Sequence, residues 1–191
     1  MNIAIFASGA GSNVKNIIEY FKNDSKVQIQ CVWSNKTSAG ALDHAKEAKI
    51  DTLIFNKQQI EDADNLITVL HKNNIELIVL AGFLLKIPPK FIKNFNGKII
   101  NVHPSLLPKY GGKGMYGNNV HNKVLKSGDK ETGITIHYVN ENYDEGKIIS
   151  QFKTEINNNE TIDSLLLKIK GLEKQHYPYV IKQTIINNKI K

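Results

Sequence analysis

Short apolar runs of strand length alternate with segments of helical spacing over the first hundred residues, and this rhythm constrains the fold more than any other feature. The runs are Ile3–Ala7, Ile29–Trp33, Thr52–Phe55, Ile75–Ala81 and Ile99–Val102. Between them, Val14, Ile17, Ile18 and Phe21 recur at helical spacing. Leu42, Ala45 and Ala48 share one face of a helix over 39–49, and Leu66, Ile67, Val69 and Leu70 mark another over 62–72. Pro88 and Pro89 open a short helix before the fifth run. Strands that alternate with helices need crossover connections, which run right-handed and cover both faces of a mostly parallel sheet. Ile75–Ala81 is apolar but for Glu76 and fits a central strand buried on both sides.

From Gly128 the rhythm changes. Thr132–Val139 and Ile148–Glu155 are strands separated only by residues 140–147, a link that suits an antiparallel pair at the sheet edge. A long helical pattern, Thr161–Ile186, closes the chain, with Thr161 or Asn159 as its cap and a break or bend expected near Pro178. The fold class expected is therefore α/β: an open, mostly parallel, Rossmann-like twisted sheet with helices on both faces and an antiparallel edge pair. At 191 residues the chain is expected to form a single domain, 1–191.

No run approaches eighteen apolar residues, and Met1 leads straight into a strand without a basic preamble, so the expected location is the cytoplasm, with no membrane partner. The net charge of +7 raises the question of nucleic acid. All 25 basic residues are lysines, however, scattered along the chain, and arginine supplies the planar fork that reads guanine and phosphate. No nucleic-acid partner is expected, although a basic surface would attract a phosphorylated small substrate. The lone Cys31 reads as a buried, inert thiol. The histidines show no metal-ligand spacing, so no metal is expected. No Gly-x-Ser-x-Gly elbow occurs.

In open parallel sheets, ligands lie beyond the carboxyl ends of the strands. There the first strand meets Gly9, Gly11, Ser12 and Asn13, a loop of backbone N–H groups at a helix N-terminus suited to a phosphate. The loop fits neither dinucleotide nor Walker spacing, and glycines at such turns also serve conformation alone. Asn101 and His103, two apart at the end of the fifth strand, project from one face. A carboxamide N–H can donate to a developing oxyanion and an imidazole can shuttle a proton; the plainer alternative is that both cap backbone groups. Pro104 and Pro108 stiffen the turn that follows. Asp144 sits in an acidic loop that by itself reads as a solvated turn.

The loop of residues 8–13 (SGAGSN), the Ala81-Gly82-Phe83 turn, the stretch 101–110 (NVHPSLLPKY) and residues 143–146 (YDEG) together resemble the phosphoribosylglycinamide formyltransferase family, in its order and spacing, from Met1 to about Ile181. The resemblance implies the formyltransferase fold and transfer of a formyl group from 10-formyltetrahydrofolate, a co-substrate, to the amine of glycinamide ribonucleotide in de novo purine synthesis. It implies that Asn101 polarises the formyl oxygen, that His103 stabilises the tetrahedral oxyanion and passes a proton, and that Asp144 holds the imidazole. Gly11, Ser12 and Asn13 would take the ribose phosphate, and Glu173 the glycinamide end. The folate would lie against Leu84, Leu85, Lys86 and Ile87, against Asn101, and against Asn140, Glu141, Asn142 and Tyr143. Two positions depart from the family: Leu85 stands where an arginine is common, and Lys170, also assigned to the ribonucleotide, stands where some relatives have glutamine. The Gly-rich residues 111–117 read as a mobile loop on the substrate side.

Methionyl-tRNA formyltransferase is similar in its Asn, His and Asp set but adds a C-terminal RNA-binding domain, which a chain ending at Lys191 is expected to lack. Formyltetrahydrofolate hydrolase is similar too, but has an N-terminal regulatory domain that a chain whose Met1 leads into the first strand is expected to lack. A noncatalytic phosphate-binding module would use the glycine loop alone and would not need Asn101, His103 and Asp144 together. The sequence leaves the oligomeric state and the isomer of the Leu107–Pro108 bond open.

Overall fold

The computed structural model describes residues 1–188, so positions 189–191 of the expected 1–191 domain lie outside the described residues. Its elements follow the order β1 (Asn2–Ala7), α1 (Ser12–Phe21), β2 (Gln28–Ser34), α2 (Gly40–Glu47), β3 (Asp51–Ile54), α3 (Lys57–Asp62), α4 (Asp64–Lys72), β4 (Ile75–Leu80), α5 (Pro89–Asn94), β5 (Lys98–His103), α6 (Asn118–Ser127), β6 (Glu131–Tyr138), β7 (Ile148–Glu155) and α7 (Ile162–Asn188). The seven strands form one sheet in the order β3-β2-β1-β4-β5-β6-β7, parallel where β1 meets β2 and β4, and antiparallel at the β6–β7 edge. The chain divides into two compact units, Met1–Ile100 and Asn101–Lys191.

In the first unit, β1 is fully buried from Ile3 to Ala7 between β2 and β4, as its continuous apolar run demands. Phe6 stacks on Trp33 at 5.3 Å between ring centroids and meets Phe55, Phe83 and Phe91 edge-on or tilted, so the strand leading into the glycine loop rests on a rigid aromatic cluster. Gly11 caps α1 with φ 81°, and a Cβ there would lie 2.5 Å from the Ala41 Cα of α2. Both the left-handed backbone and the close helix contact exclude a larger residue.

One helical expectation changes here. The helix expected over 62–72 is α4 preceded by a separate α3, because Ala63 takes φ 69° and breaks the hydrogen-bond ladder between them. The start of α3 is set by a capping box in which Asn56 Oδ1 accepts from the Gln59 N–H and Gln59 Oε1 accepts from the Asn56 N–H.

In the second unit, β6 and β7 pair from Glu131 opposite Glu155 to His137 opposite Ile148. Thr161 caps α7 through the Ser164 N–H. No break occurs at Pro178, which lies within the helical span Ile162–Asn188. An interior proline costs a helix about 3 kcal/mol, and burial of Leu165, Ile169, Tyr177, Val180, Ile181 and Ile185 on one face outweighs it. Helix α6, not anticipated, buries Val120, His121 and Val124. Three glycines with positive φ, Gly112, Gly114 and Gly117, lead into it. No helix among the described residues is long and apolar enough to cross a membrane.

Candidate active site

Three of the chemistry-bearing residues singled out in the sequence, Asn101, His103 and Asp144, converge in the second unit, and a fourth, His137, joins them. The turn after β5 is held by one buried hydroxyl. Thr135 Oγ1 accepts from the Leu107 N–H (2.9 Å) and from Gln151 Nε2 (2.9 Å), and donates to the Ser105 carbonyl (2.7 Å). Gln151 Nε2 also donates to the Leu107 carbonyl, and Ser105 Oγ to the Lys109 carbonyl. Leu107–Pro108 is cis. At the end of this turn Tyr110 takes φ 57°, with its hydroxyl bonded to Asp129, and its carbonyl accepts from His103 Nε2 at 2.8 Å.

The other ring nitrogen of His103, Nδ1, lies 3.5 Å from Asp144 Oδ2. Both nitrogens therefore face acceptors, Nε2 at hydrogen-bond distance from the Tyr110 carbonyl and Nδ1 at ion-pair distance from Asp144. Asp144 has φ 56° and accepts from the Gly112 N–H at 3.0 Å. The 139–147 loop that carries it closes at Gly146, where a Cβ would overlap the Tyr138 carbonyl oxygen at 1.7 Å. The histidines are buried, with side chains 4% exposed for His103 and 3% for His137, whereas Asp144 reaches 13%.

His137 shows no metal-ligand spacing in the sequence, and its part in the site comes only from its place on β6. Its Nδ1 lies 2.9 Å from the Tyr138 carbonyl, which can only accept, so that nitrogen carries the proton. Burial pushes His137 below the ordinary histidine range, favouring the neutral ring. Nε2 then offers a lone pair to Asn101 Nδ2 at 3.2 Å. This fixes the carboxamide so that one N–H is used by His137 and the second remains to donate elsewhere. Asp144 Oδ1 lies 3.7 Å from the same Nε2. A signal was present in the sequence: Thr135 and His137 alternate with Ile134 and Ile136, which puts two polar side chains on one face of a buried strand.

The remaining candidates are distributed as follows. In the first unit, α1 begins at Ser12 without a side-chain cap, and Ser12 is exposed while Gly11 and Asn13 are half-buried. Ser8 ties the glycine loop to its surroundings, donating to Asn35 Oδ1 (2.6 Å) and accepting from the Leu84 N–H (2.9 Å). Leu84 and Lys86 are exposed, Leu85 is half-buried, and the Ile87 side chain is buried, which leaves only its backbone for a ligand. In the second unit, Asn140, Glu141, Asn142 and Tyr143 are exposed, and Asn142 is held by Asn140 and Glu145. Lys170 and Glu173 stand one turn apart on α7, Lys170 exposed and Glu173 half-buried near Tyr177.

The formyl transferase family model matches residues 1–181. The chain belongs to the formyl transferase family. It is 39% identical to the phosphoribosylglycinamide formyltransferase of Haemophilus influenzae, over 94% of this chain and 85% of that protein. It is 38% identical to the chloroplastic phosphoribosylglycinamide formyltransferase of Arabidopsis thaliana, over 93% of this chain but only 62% of the plant protein's length. The crystal structure of the phosphoribosylglycinamide formyltransferase from Anaplasma phagocytophilum superimposes with a TM-score of 0.88 at 33% identity, covering 97% of this chain and 87% of that one. The expected α/β formyltransferase fold with an antiparallel edge pair is thus the observed one.

Proposed function

We propose that this formyl transferase moves the formyl group of 10-formyltetrahydrofolate to the amine of glycinamide ribonucleotide, in purine biosynthesis, with residues 1–191 acting as one formyltransferase domain in the cytoplasm. The observation that carries the reading is the convergence of Asn101, His103 and Asp144, with His137 fixing the Asn101 amide. The amine attacks the formyl carbon, forming a C–N bond and an oxyanion. The free Asn101 N–H and the His103 imidazolium stabilise that charge, a type of contact worth about 10²–10³ in turnover when one donor is lost. Collapse breaks the bond to the folate N10, which takes the proton that the amine gives up, relayed by His103. Asp144 holds the ring by its charge.

The binding roles rest on the family pattern. Gly11, Ser12 and Asn13 present backbone N–H groups at the positive end of α1 to the ribose phosphate. Lys170 and Glu173 serve the ribonucleotide, Glu173 through its amine end. Leu84, Leu85, Lys86 and the Ile87 backbone, with Asn140, Glu141, Asn142 and Tyr143, form the folate contacts. Leu85 offers an apolar contact where an arginine is common.

The test is tetrahydrofolate release from 10-formyltetrahydrofolate plus glycinamide ribonucleotide. Turnover that needs both substrates and is lost in His103→Ala, with ribonucleotide binding retained, is the expected result. Folate release without the ribonucleotide, or ribonucleotide binding without turnover, would overturn the assignment.

A further inference from the structure

A cavity of about 450 Å³ lies beyond the carboxyl ends of β2 and β3, lined by the loop after β2 and by the start of α3. Its chemistry is one-sided. Three carboxamides line it, and each has its oxygen committed to the fold: Asn35 Oδ1 accepts from Ser8, Asn56 Oδ1 from the Gln59 N–H, and Gln59 Oε1 from the Asn56 N–H. Their NH₂ groups make no hydrogen bond within the described residues, so what they offer a ligand is donors. Lys36 adds a positive charge, paired with no carboxylate among the described residues, and no acidic side chain lines the cavity. Ile54, 48% exposed, supplies an apolar wall beside the buried Phe55.

We propose that this cavity is a second ligand site, separate from the formyl-transfer residues, for a nucleoside monophosphate. Three carboxamide NH₂ groups and one ammonium recognise a phosphate monoester by charge-assisted hydrogen bonds. The volume, within the range of small-molecule sites, exceeds what a bare phosphate fills, and the Ile54 wall suits the flat ring of a base. Asn35 joins the site to the glycine loop and to the 82–84 turn, because Ser8 donates to its oxygen and accepts from the Leu84 N–H.

The capping box gives a clean test. Asn56→Asp and Gln59→Glu keep the oxygen that each side chain contributes to the fold, and exchange the donor NH₂ for negative charge. The double variant therefore folds like the parent, which its thermal midpoint verifies. Titrations of ¹⁵N-labelled protein are run with AMP, adenosine and inorganic phosphate, with glycinamide ribonucleotide saturating the glycine loop. AMP is expected to shift the amide signals of residues 35–38 and 54–59, inorganic phosphate more weakly and adenosine not at all. Affinity for AMP should fall at least about tenfold in the double variant and in Lys36→Glu. Three results overturn the proposal: no shift in these segments at millimolar AMP, equal affinity in parent and variants, or phosphate binding as tightly as AMP. Formyl transfer by the same proteins is read separately, so failure of this site leaves the assignment of Asn101, His103 and Asp144 untouched.

Discussion

Replacing Thr135 by valine tests whether one hydroxyl holds the turn that positions His103. The side chain is completely buried and nearly isosteric with valine, so packing barely changes and the loss is polar. Its Oγ1 serves the Leu107 N–H, the Ser105 carbonyl and Gln151 Nε2. Gln151 retains the Leu107 carbonyl, which leaves the Leu107 N–H and the Ser105 carbonyl without their partner. An orphaned buried polar group costs about 1–3 kcal/mol, so two cost about 2–6 kcal/mol. That is a large part of the about 5–15 kcal/mol by which a domain is stable. For a chain of this size it lowers the thermal midpoint by about 4–24 °C. The assay is urea denaturation of the parent, Thr135→Val and Thr135→Ser, with Thr135→Ser keeping the hydroxyl and most of the stability. Because the turn also carries the Tyr110 carbonyl that binds His103 Nε2, kcat should fall in Thr135→Val at temperatures where it remains folded. A Thr135→Val protein within about 0.5 kcal/mol of the parent, the scatter of neutral substitutions, refutes the reasoning.

Further outcomes follow from the same geometry. His137→Phe removes the lone pair that fixes the Asn101 amide and should lower kcat about tenfold with little change in KM, less than the about 10²–10³ expected for loss of a donor; steady-state kinetics beside Asn101→Ala would expose an unchanged kcat. Burial holds His121, His137 and His176 below the ordinary histidine value of 6.5, so the unfolded chain binds protons first as pH drops. Stability from these groups is complete above pH 6.5 and declines below it, and thermal midpoints from pH 7 to pH 5 should fall. The Lys168 ammonium, with Ser164 and the Asn157 N–H, holds the Glu160 carboxyl down to about 2 from 4.5, so its contribution is present above pH 4.5 and disappears toward pH 2. The gap in midpoint between the parent and Glu160→Gln should therefore close as pH falls from 5 toward 2. Burial, then the charge of Asp51, pushes the Cys31 thiol up to about 12, so a thiol-specific reagent should label it only after denaturant is added.

What the sequence made legible was whatever depends on local pattern. β1 and β4 showed as apolar runs because near-complete burial leaves little alternation to hide them, whereas β7 showed as an alternation of half-buried and exposed residues. The pair Asn101 and His103 showed because a period of two puts them on one face. Elements that rest on tertiary support were not legible. The α3–α4 break depends on a left-handed Ala63, the passage of α7 through Pro178 on the apolar face it buries, and α6 on burial of only three residues in a polar stretch.

The sequence by itself determined the strand and helix alternation, the placing of polar residues at strand ends and the family likeness, because these need only periodicity, residue type and order. Only the tertiary structure decided that His137 shares the site, since a contact between β5 and β6 is not local. It also decided which nitrogen of His137 carries its proton, through the Tyr138 carbonyl, and hence which way the Asn101 amide faces. The cavity beyond β2 and β3 is of the same kind, because a capping box and a serine bond turn three ordinary carboxamides into a surface of donors.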